Sequence, residues 1–209
     1  MSRIFLFCHG FGLSNSYWKE IVPYFKEEEC IFLSYQNNFS YCPNIKDKNI
    51  EYIAIGHSLG FIKIQMLEIN IKYFIGLNAF TNFLGFNNEI YKKRYREYTI
   101  FKKNILKFTD KTLKKFYEQC GINNFYQPID INTNNLENDL FLLKQNHFMK
   151  NNTKTLIINS INDQVVSHDL TKDNFINQSI SLIMMPDGKH SLGISDADKI
   201  ANIIFDFIS

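Results

Sequence analysis

Long apolar runs, net charge and repeats are what this sequence lacks. No apolar run approaches the ~18 residues of a membrane helix, so a spanning segment is excluded. The start, MSRIFLFCHG, has one arginine and only five consecutive apolar residues, with no A-x-A site after them. That is too short for a secretory h-region, and a cytoplasmic protein is expected. Cysteine is sparse. Cys8, Cys30, Cys42 and Cys120 show no C-x-x-C spacing and no regular pattern, and read as free thiols of a reducing compartment. A net charge of +2 gives no argument for nucleic acid. Internal repeats and low-complexity linkers are absent. What is present is a 45% hydrophobic chain of 209 residues, enough for one globular domain with a full core and room for an inserted subdomain.

The chain is organised around Gly56-His57-Ser58-Leu59-Gly60. A strand-like apolar run, Ile50 to Ile55, precedes it, and a helix-like run, Phe61 to Ile69, follows. Strand, G-x-S-x-G, helix is the context of a nucleophile elbow. A serine at the tip of so sharp a turn sits in strained torsions with its hydroxyl pointing off the sheet. The flanking glycines let neighbouring backbone pass without a Cβ clash. The N–H of Leu59 opens the helix and can face a developing oxyanion.

Around that motif the pattern alternates. Ile4–Cys8, Cys30–Tyr35, Ile50–Gly56, Ile71–Asn78, Thr155–Ser160 and Ser179–Met185 read as strands, the first wholly apolar, as suits a strand buried on both faces. Tyr17, Trp18, Ile21, Val22 and Phe25 form a helical stripe capped by Ser14 or Asn15 and closed by a solvated Glu27-Glu28-Glu29 run. Gln36 to Asp47 reads as a polar connection. Asp169–Asn177 and Asp196–Ile208 read as helices. Residues 83–150 show little strand character and much helical character. The predicted architecture is α/β, a mostly parallel sheet flanked by helices. Its core is 1–82 with 151–209, and a short helical lid, 83–150, is inserted after the fourth strand.

A serine hydroxyl needs a base, and the base needs a group that fixes its tautomer. On this architecture the order is Ser, acid, His, with the acid past a late strand and the histidine past the last. Asp163 follows the strand at 155–160, and His190 follows the strand at 179–185. Asp187 is a rival acid, but lies three residues from His190 and reads as shaping that loop. His147 falls in the insertion and His168 at a helix head. His57 reads as packing beside the sheet, and His9 as bonding backbone to hold its loop. The turn His9-Gly10-Phe11-Gly12 after the first strand places the Phe11 N–H as a second oxyanion donor.

These motifs, with Val165-Val166 and Gly188-Lys189-His190-Ser191, together resemble the α/β-hydrolase superfamily over nearly the whole chain. A narrower likeness is to the pimeloyl-[acyl-carrier protein] methyl ester esterases of biotin synthesis. His9-Gly10-Phe11-Gly12-Leu13-Ser14-Asn15-Ser16-Tyr17-Trp18 looks like their H-G-W-G opening with its later tryptophan. Leu113–Gly121 loosely resembles their lid segment. The resemblance implies a serine esterase with Ser58 as nucleophile, Asp163 as orienting acid, His190 as base, and Phe11 and Leu59 as oxyanion donors. It implies no cofactor and no metal. The chain departs from that family in three ways: the early antiparallel strands are shortened or absent, Phe11 stands where tryptophan is usual, and the lid is short. A small-acyl carboxylesterase or thioesterase, a non-catalytic binding protein and a C–C hydrolase on the same fold stand as alternatives.

Residues 86–118 hold ten bases against four acids, a surplus of six, while the remainder of the chain is at −4 to give the total of +2. Charge clustered this way speaks of a partner. An acidic acyl carrier protein fits it, with Lys102, Lys103, Lys114 and Lys115 as the expected contacts. A solvated helical face is the plainer reading, and phospholipid headgroups also carry suitable charge. No nucleic acid, no membrane and a monomer are expected. Phe83, Phe86, Tyr91, Tyr95, Tyr98, Phe101, Phe108, Phe116, Tyr117, Phe125 and Tyr126 interleave with the bases, as lid packing and as lining for an acyl channel.

Overall fold

A computed structural model describes residues 2–33, 50–67, 69–122, 133–147, 149 and 153–209. The readings of Gln36 to Asp47 as a connection and of Phe125 and Tyr126 as lining fall outside the described residues.

The strands are β1 (Ser2–Cys8), β2 (Glu29–Leu33), β3 (Ile50–His57), β4 (Ile71–Leu77), β5 (Lys154–Ser160) and β6 (Ser181–Met185). They form one sheet in the order β2-β1-β3-β4-β5-β6, and every pairing is parallel. Parallel strands require crossovers, and the crossovers lay helices on both faces. Alternation along each strand divides the core. Phe5, Phe7, Ile53, Ile55, Ile75 and Leu156 face one way, against Trp18, Phe25, Ile200 and Ile204. Ile4, Leu6, Tyr52, Ala54, Phe74 and Ile157 face the other, against Phe61, Ile64 and Phe175. The edge strands β2 and β6 are more exposed than the central ones, as edges are.

The helices are α1 (Leu59–Gln65), α2 (Asn88–Lys107), α3 (Thr109–Cys120), α4 (Thr133–Leu143), α5 (His168–Phe175), α6 (Leu192–Ser195) and α7 (Ala197–Ile208). Three of them, α2, α3 and α4, lie between β4 and β5. Among the described residues no helix is long and apolar enough to cross a membrane.

Two local readings need correction. The single helix expected over Tyr17–Phe25 is instead two 3-10 turns, Asn15–Trp18 and Val22–Phe25. Pro23 is the reason. It has no N–H, and inside a continuous helix its ring would meet the carbonyl of Lys19, so it sits in the first turn of a new segment. Ser14 does cap the first turn, its Oγ accepting from the Ser16 N–H. The Glu27-Glu28-Glu29 run is not simply solvated: Glu28 pairs with Arg3 at 2.5 Å, and Glu29 starts β2. Lesser shifts also occur. The helix after the elbow stops at Gln65, and β6 starts two residues later than expected.

Away from the serine turn, α1 and α4 are joined by a buried ion pair. Lys63 of α1 meets Asp139 of α4 at 2.5 Å, with side chains 3% and 1% exposed. Burial pulls the Lys63 pKa down to about 7 and pushes that of Asp139 well above the ordinary carboxylate range. Removing one partner leaves a buried charge without its counterion. Asp139→Ala is expected to lower unfolding stability by about 3–5 kcal/mol, whereas the paired change Lys63→Met with Asp139→Leu restores most of it. Denaturant melts of the three proteins check this.

Candidate active site

The site is built on the turn between β3 and α1. Ser58 has φ 54° and ψ −123°, a left-handed conformation that costs a non-glycine residue about 1–3 kcal/mol. Close packing around it imposes the turn. A Cβ on Gly56 would fall 2.3 Å from the Phe61 Cα, and one on Gly60 would fall 2.1 Å from the Cys8 carbonyl oxygen. The first turn of α1 is thus pressed onto the ends of β1 and β3. The Ser58 N–H donates to the Leu77 carbonyl at 2.9 Å, which ties the turn to β4.

From that turn the Ser58 Oγ lies 3.0 Å from His190 Nε2. His190 Nδ1 lies 2.7 Å from Asp163 Oδ2. With the carboxylate as acceptor, Nδ1 carries the proton and Nε2 is free to accept from the serine hydroxyl. The structure therefore brings Ser58, His190 and Asp163 together in one line. All three are buried, at 4%, 1% and 4% exposure. The Asp163 carboxylate is fully engaged. Its Oδ1 accepts the N–H groups of Val165 at 2.7 Å and Val166 at 2.8 Å, and its Oδ2 accepts Asn78 Nδ2 at 2.8 Å beside the imidazole. The rival Asp187 is exposed, and its carbonyl rather than its carboxylate is used, accepting from Ser160 Oγ.

The loop that carries His190 is held by its carbonyls. Pro186 O accepts from Asn162 Nδ2 at 2.9 Å, and Asp187 O and Gly188 O from Ser160 Oγ at 3.2 and 2.8 Å. Lys189 O accepts from Asn78 Nδ2 at 3.2 Å, and His190 O from His57 Nε2 at 2.7 Å. Five successive carbonyls are each caught by a side chain from a strand end or the turn after it. Asn78, Ser160 and His57 were not visible as site residues in the sequence. Asn78 carries one late signal, a positive φ of 48° at a non-glycine position just past β4.

The remaining histidines have settled roles. The His57 ring stacks on Tyr17 at 4.1 Å, and burial, reinforced by the nearby His190, pushes its pKa well below the ordinary value. It is neutral and donates from Nε2. His9 Nδ1 donates to the Gly10 carbonyl at 3.0 Å, and burial lowers its pKa to about 3. His147 Nε2 bonds the Leu142 carbonyl at 3.1 Å, and His168 is the first residue of α5.

A cavity of about 450 Å³ opens over Ser58. Phe11, Tyr98, Phe101, Phe116 and Leu143 give it an apolar wall, while Arg94, Asn104 and Gln119 add polar groups. The loop of Phe11 lies against the elbow: a Cβ on Gly10 would be 3.0 Å from the Ser58 Cβ. Leu59 is the first residue of α1. The lid aromatics divide. Phe83, Tyr98, Phe101 and Phe116 line the cavity, whereas Phe86, Tyr91, Tyr95 and Phe108 are exposed. The basic residues divide too. Lys102, Lys103, Lys114 and Lys115 are exposed, with Lys115 also at the cavity. Arg94 turns inward and is 8% exposed, so it does not belong to the surface charge.

No protein-family model and no curated protein matches the chain. Solved structures do. An esterase from Exiguobacterium antarcticum superposes with a TM-score of 0.76 at 13% identity, covering 99% of this chain and 92% of that one. A lipase-esterase related protein from Clostridium acetobutylicum gives 0.71 at 17% identity, with 98% and 94% covered. A pyrethroid hydrolase from Sphingobium faniae gives 0.66 at 13%, with 99% and 96% covered. At such identities the likeness is one of architecture, and it extends over nearly the full length of every chain compared. With its six parallel strands and interposed helices, the chain has the α/β-hydrolase fold.

Proposed function

We propose that this protein is a serine carboxylic ester hydrolase, and that its substrate is the methyl ester of a pimeloyl group carried on acyl carrier protein. The observation that carries the hydrolase reading is the unbroken line from Ser58 through His190 to Asp163 at the floor of an apolar cavity. The reaction follows from that geometry. His190 Nε2 takes the Ser58 proton as Oγ attacks the ester carbonyl. Asp163 holds the imidazole in the required tautomer and stabilises the imidazolium. The N–H groups of Phe11 and Leu59 bind the oxyanion, each such donor being worth about 2.7–4 kcal/mol in the transition state. His190 returns the proton to the departing methoxide. Water, deprotonated by the same nitrogen, then cleaves the acyl-enzyme and leaves the ω-carboxylate and free Ser58.

Two features support the substrate. The cavity wall is aromatic and aliphatic, as an acyl chain requires. The lid presents Lys102, Lys103, Lys114 and Lys115 to solvent, and an acidic carrier protein would be steered to such a face. A free small-acyl ester or thioester is the second reading, because the same cavity takes an acyl chain without a carrier.

Ser58→Ala is expected to abolish turnover with the fold retained, and a fluorophosphonate probe should label the wild type and not the variant. A wild-type serine that ignores the probe makes this a binding protein. Asp163→Asn should fold and lose about 10⁴-fold in kcat, because the amide no longer enforces the His190 tautomer; circular dichroism alongside single-turnover kinetics checks both halves. Charge reversal of Lys102, Lys103 and Lys114 to Glu, sparing Lys115 because it also lines the cavity, should lower kcat/KM on carrier-bound ester by about tenfold or more and flatten its salt dependence, with a free short ester unaffected. Equal loss on both substrates, or on neither, removes the carrier protein from the account. Complementation of a biotin auxotroph lacking its methyl esterase, with Ser58→Ala as control, tests the acyl group.

A further inference from the structure

Arg94 is a lid residue whose guanidinium reaches the acid loop. Its Nη2 donates to the Val165 carbonyl at 2.8 Å, and its Nε donates to the Phe83 carbonyl at 3.2 Å. The guanidinium carbon lies 4.1 Å from the centre of the Phe83 ring, and Nη1 approaches the Glu97 carboxylate at 3.5 Å. The carbonyl of Val165 and the N–H of Val166 belong to one planar amide. That N–H donates to Asp163 Oδ1 at 2.8 Å. A single peptide unit therefore takes a hydrogen bond from Arg94 at one end and gives one to the acid at the other.

We infer that Arg94 is a positioning residue for Asp163, acting through the Val165–Val166 peptide. The line then runs guanidinium, amide, carboxylate, imidazole, hydroxyl. Each hydrogen bond in such a chain polarises the next, and in a buried setting the effect is stronger than in water. Fixing the amide plane also fixes the direction from which Oδ1 is held, which leaves Oδ2 aimed at His190 Nδ1. A lysine does not reproduce this. It has no planar fork to bridge the Phe83 and Val165 carbonyls while stacking on the Phe83 ring. Burial works against the Arg94 charge, and Glu97 and Asp163 support it. The inference rests on Ser58, His190 and Asp163 acting as proposed above, and its test is chosen to separate the two.

Arg94→Met, Arg94→Gln and Arg94→Lys are compared with the wild type by proton NMR of the full chain, following the low-field His190 Nδ1–H resonance. In the same preparations a free short ester gives kcat and KM. The expected result is that Arg94→Met and Arg94→Gln move that resonance upfield and broaden it. They should also lower kcat by about ten- to a hundredfold with KM nearly unchanged, the scale of a misplaced catalytic group. Arg94→Lys should fall between. An unmoved resonance in a folded Arg94→Gln or Arg94→Lys protein overturns the inference, and so does a loss confined to KM or to melting temperature, which would mark lid packing alone. The resonance is read without turnover. A wild-type Ser58 that fails to react with a fluorophosphonate is a separate result, which defeats the hydrolase reading and leaves the Arg94 result standing on its own.

Discussion

The constraint on which the rest depends is the contact between the first turn of α1 and the carboxyl ends of β1 and β3. Ser58 occupies an unfavourable conformation, and nothing within the Gly56–Gly60 segment itself stabilises it. The packing does. Gly60 lies so close to the Cys8 and His9 carbonyls, and Gly56 so close to Phe61, that no side chain fits at either position. The sheet and α1 bury their apolar faces together, and the turn between them has only one way to close. A relaxed Ser58 would require α1 to lift away from the sheet, exposing Phe61, Ile62 and Ile64, each about 1% exposed now. Burying one such side chain contributes about 1.5–3 kcal/mol, so the strain at one residue is small beside what holds it.

The same logic organises the histidine loop. Its backbone is irregular, and irregular backbone near a buried site must have its carbonyls satisfied. Side chains from β3, β4 and β5 ends supply the donors. His57, Asn78 and Ser160 all stand at or just past the last residue of their strands. The rim of a parallel sheet thus holds Ser58, Asp163 and His190 and also the polar groups that keep the irregular 186–190 loop in register. Asn78 serves both, bonding the acid and the loop with one amide nitrogen.

How much of this was legible in the sequence follows from how local each signal is. The central strands announce themselves as apolar runs, and the elbow as a motif with the right neighbours. Asp163 and His190 could be placed by asking which acid and which histidine follow late strands. His57, Asn78 and Ser160 could not. Asn78 meets Asp163 across 85 positions, and His57 meets His190 across 133. No periodicity or spacing encodes such a pairing, which exists only once the sheet order is known. Pro23 is the opposite case. Its effect is local and was available to reading, yet the apolar stripe over Tyr17–Phe25 outweighed it. Arg94 was misplaced for a third reason. In sequence it is one base among ten, and only the packing of α2 against the acid loop takes it out of the surface count.

That division of charge also decides how the lid is fastened. Helix α4 is tied to α1 by the buried Lys63–Asp139 pair, and α2 is tied to the acid loop by Arg94. Pulling either apart strands a charge in an apolar setting, at a cost of several kcal/mol. Helix α3 is held differently. Tyr117 donates to the Gly12 carbonyl at 2.5 Å, and Ser191 donates to the Cys120 carbonyl at 2.7 Å. These are neutral bonds, each worth about 0.5–1.5 kcal/mol net, and water replaces them readily. Leu113 and Phe116 of the same helix lie over Phe11 and the cavity. That helix is fastened chiefly by packing: Leu113, Phe116, Tyr117 and Cys120 are all buried, and an apolar side chain contributes about 1.5–3 kcal/mol on burial.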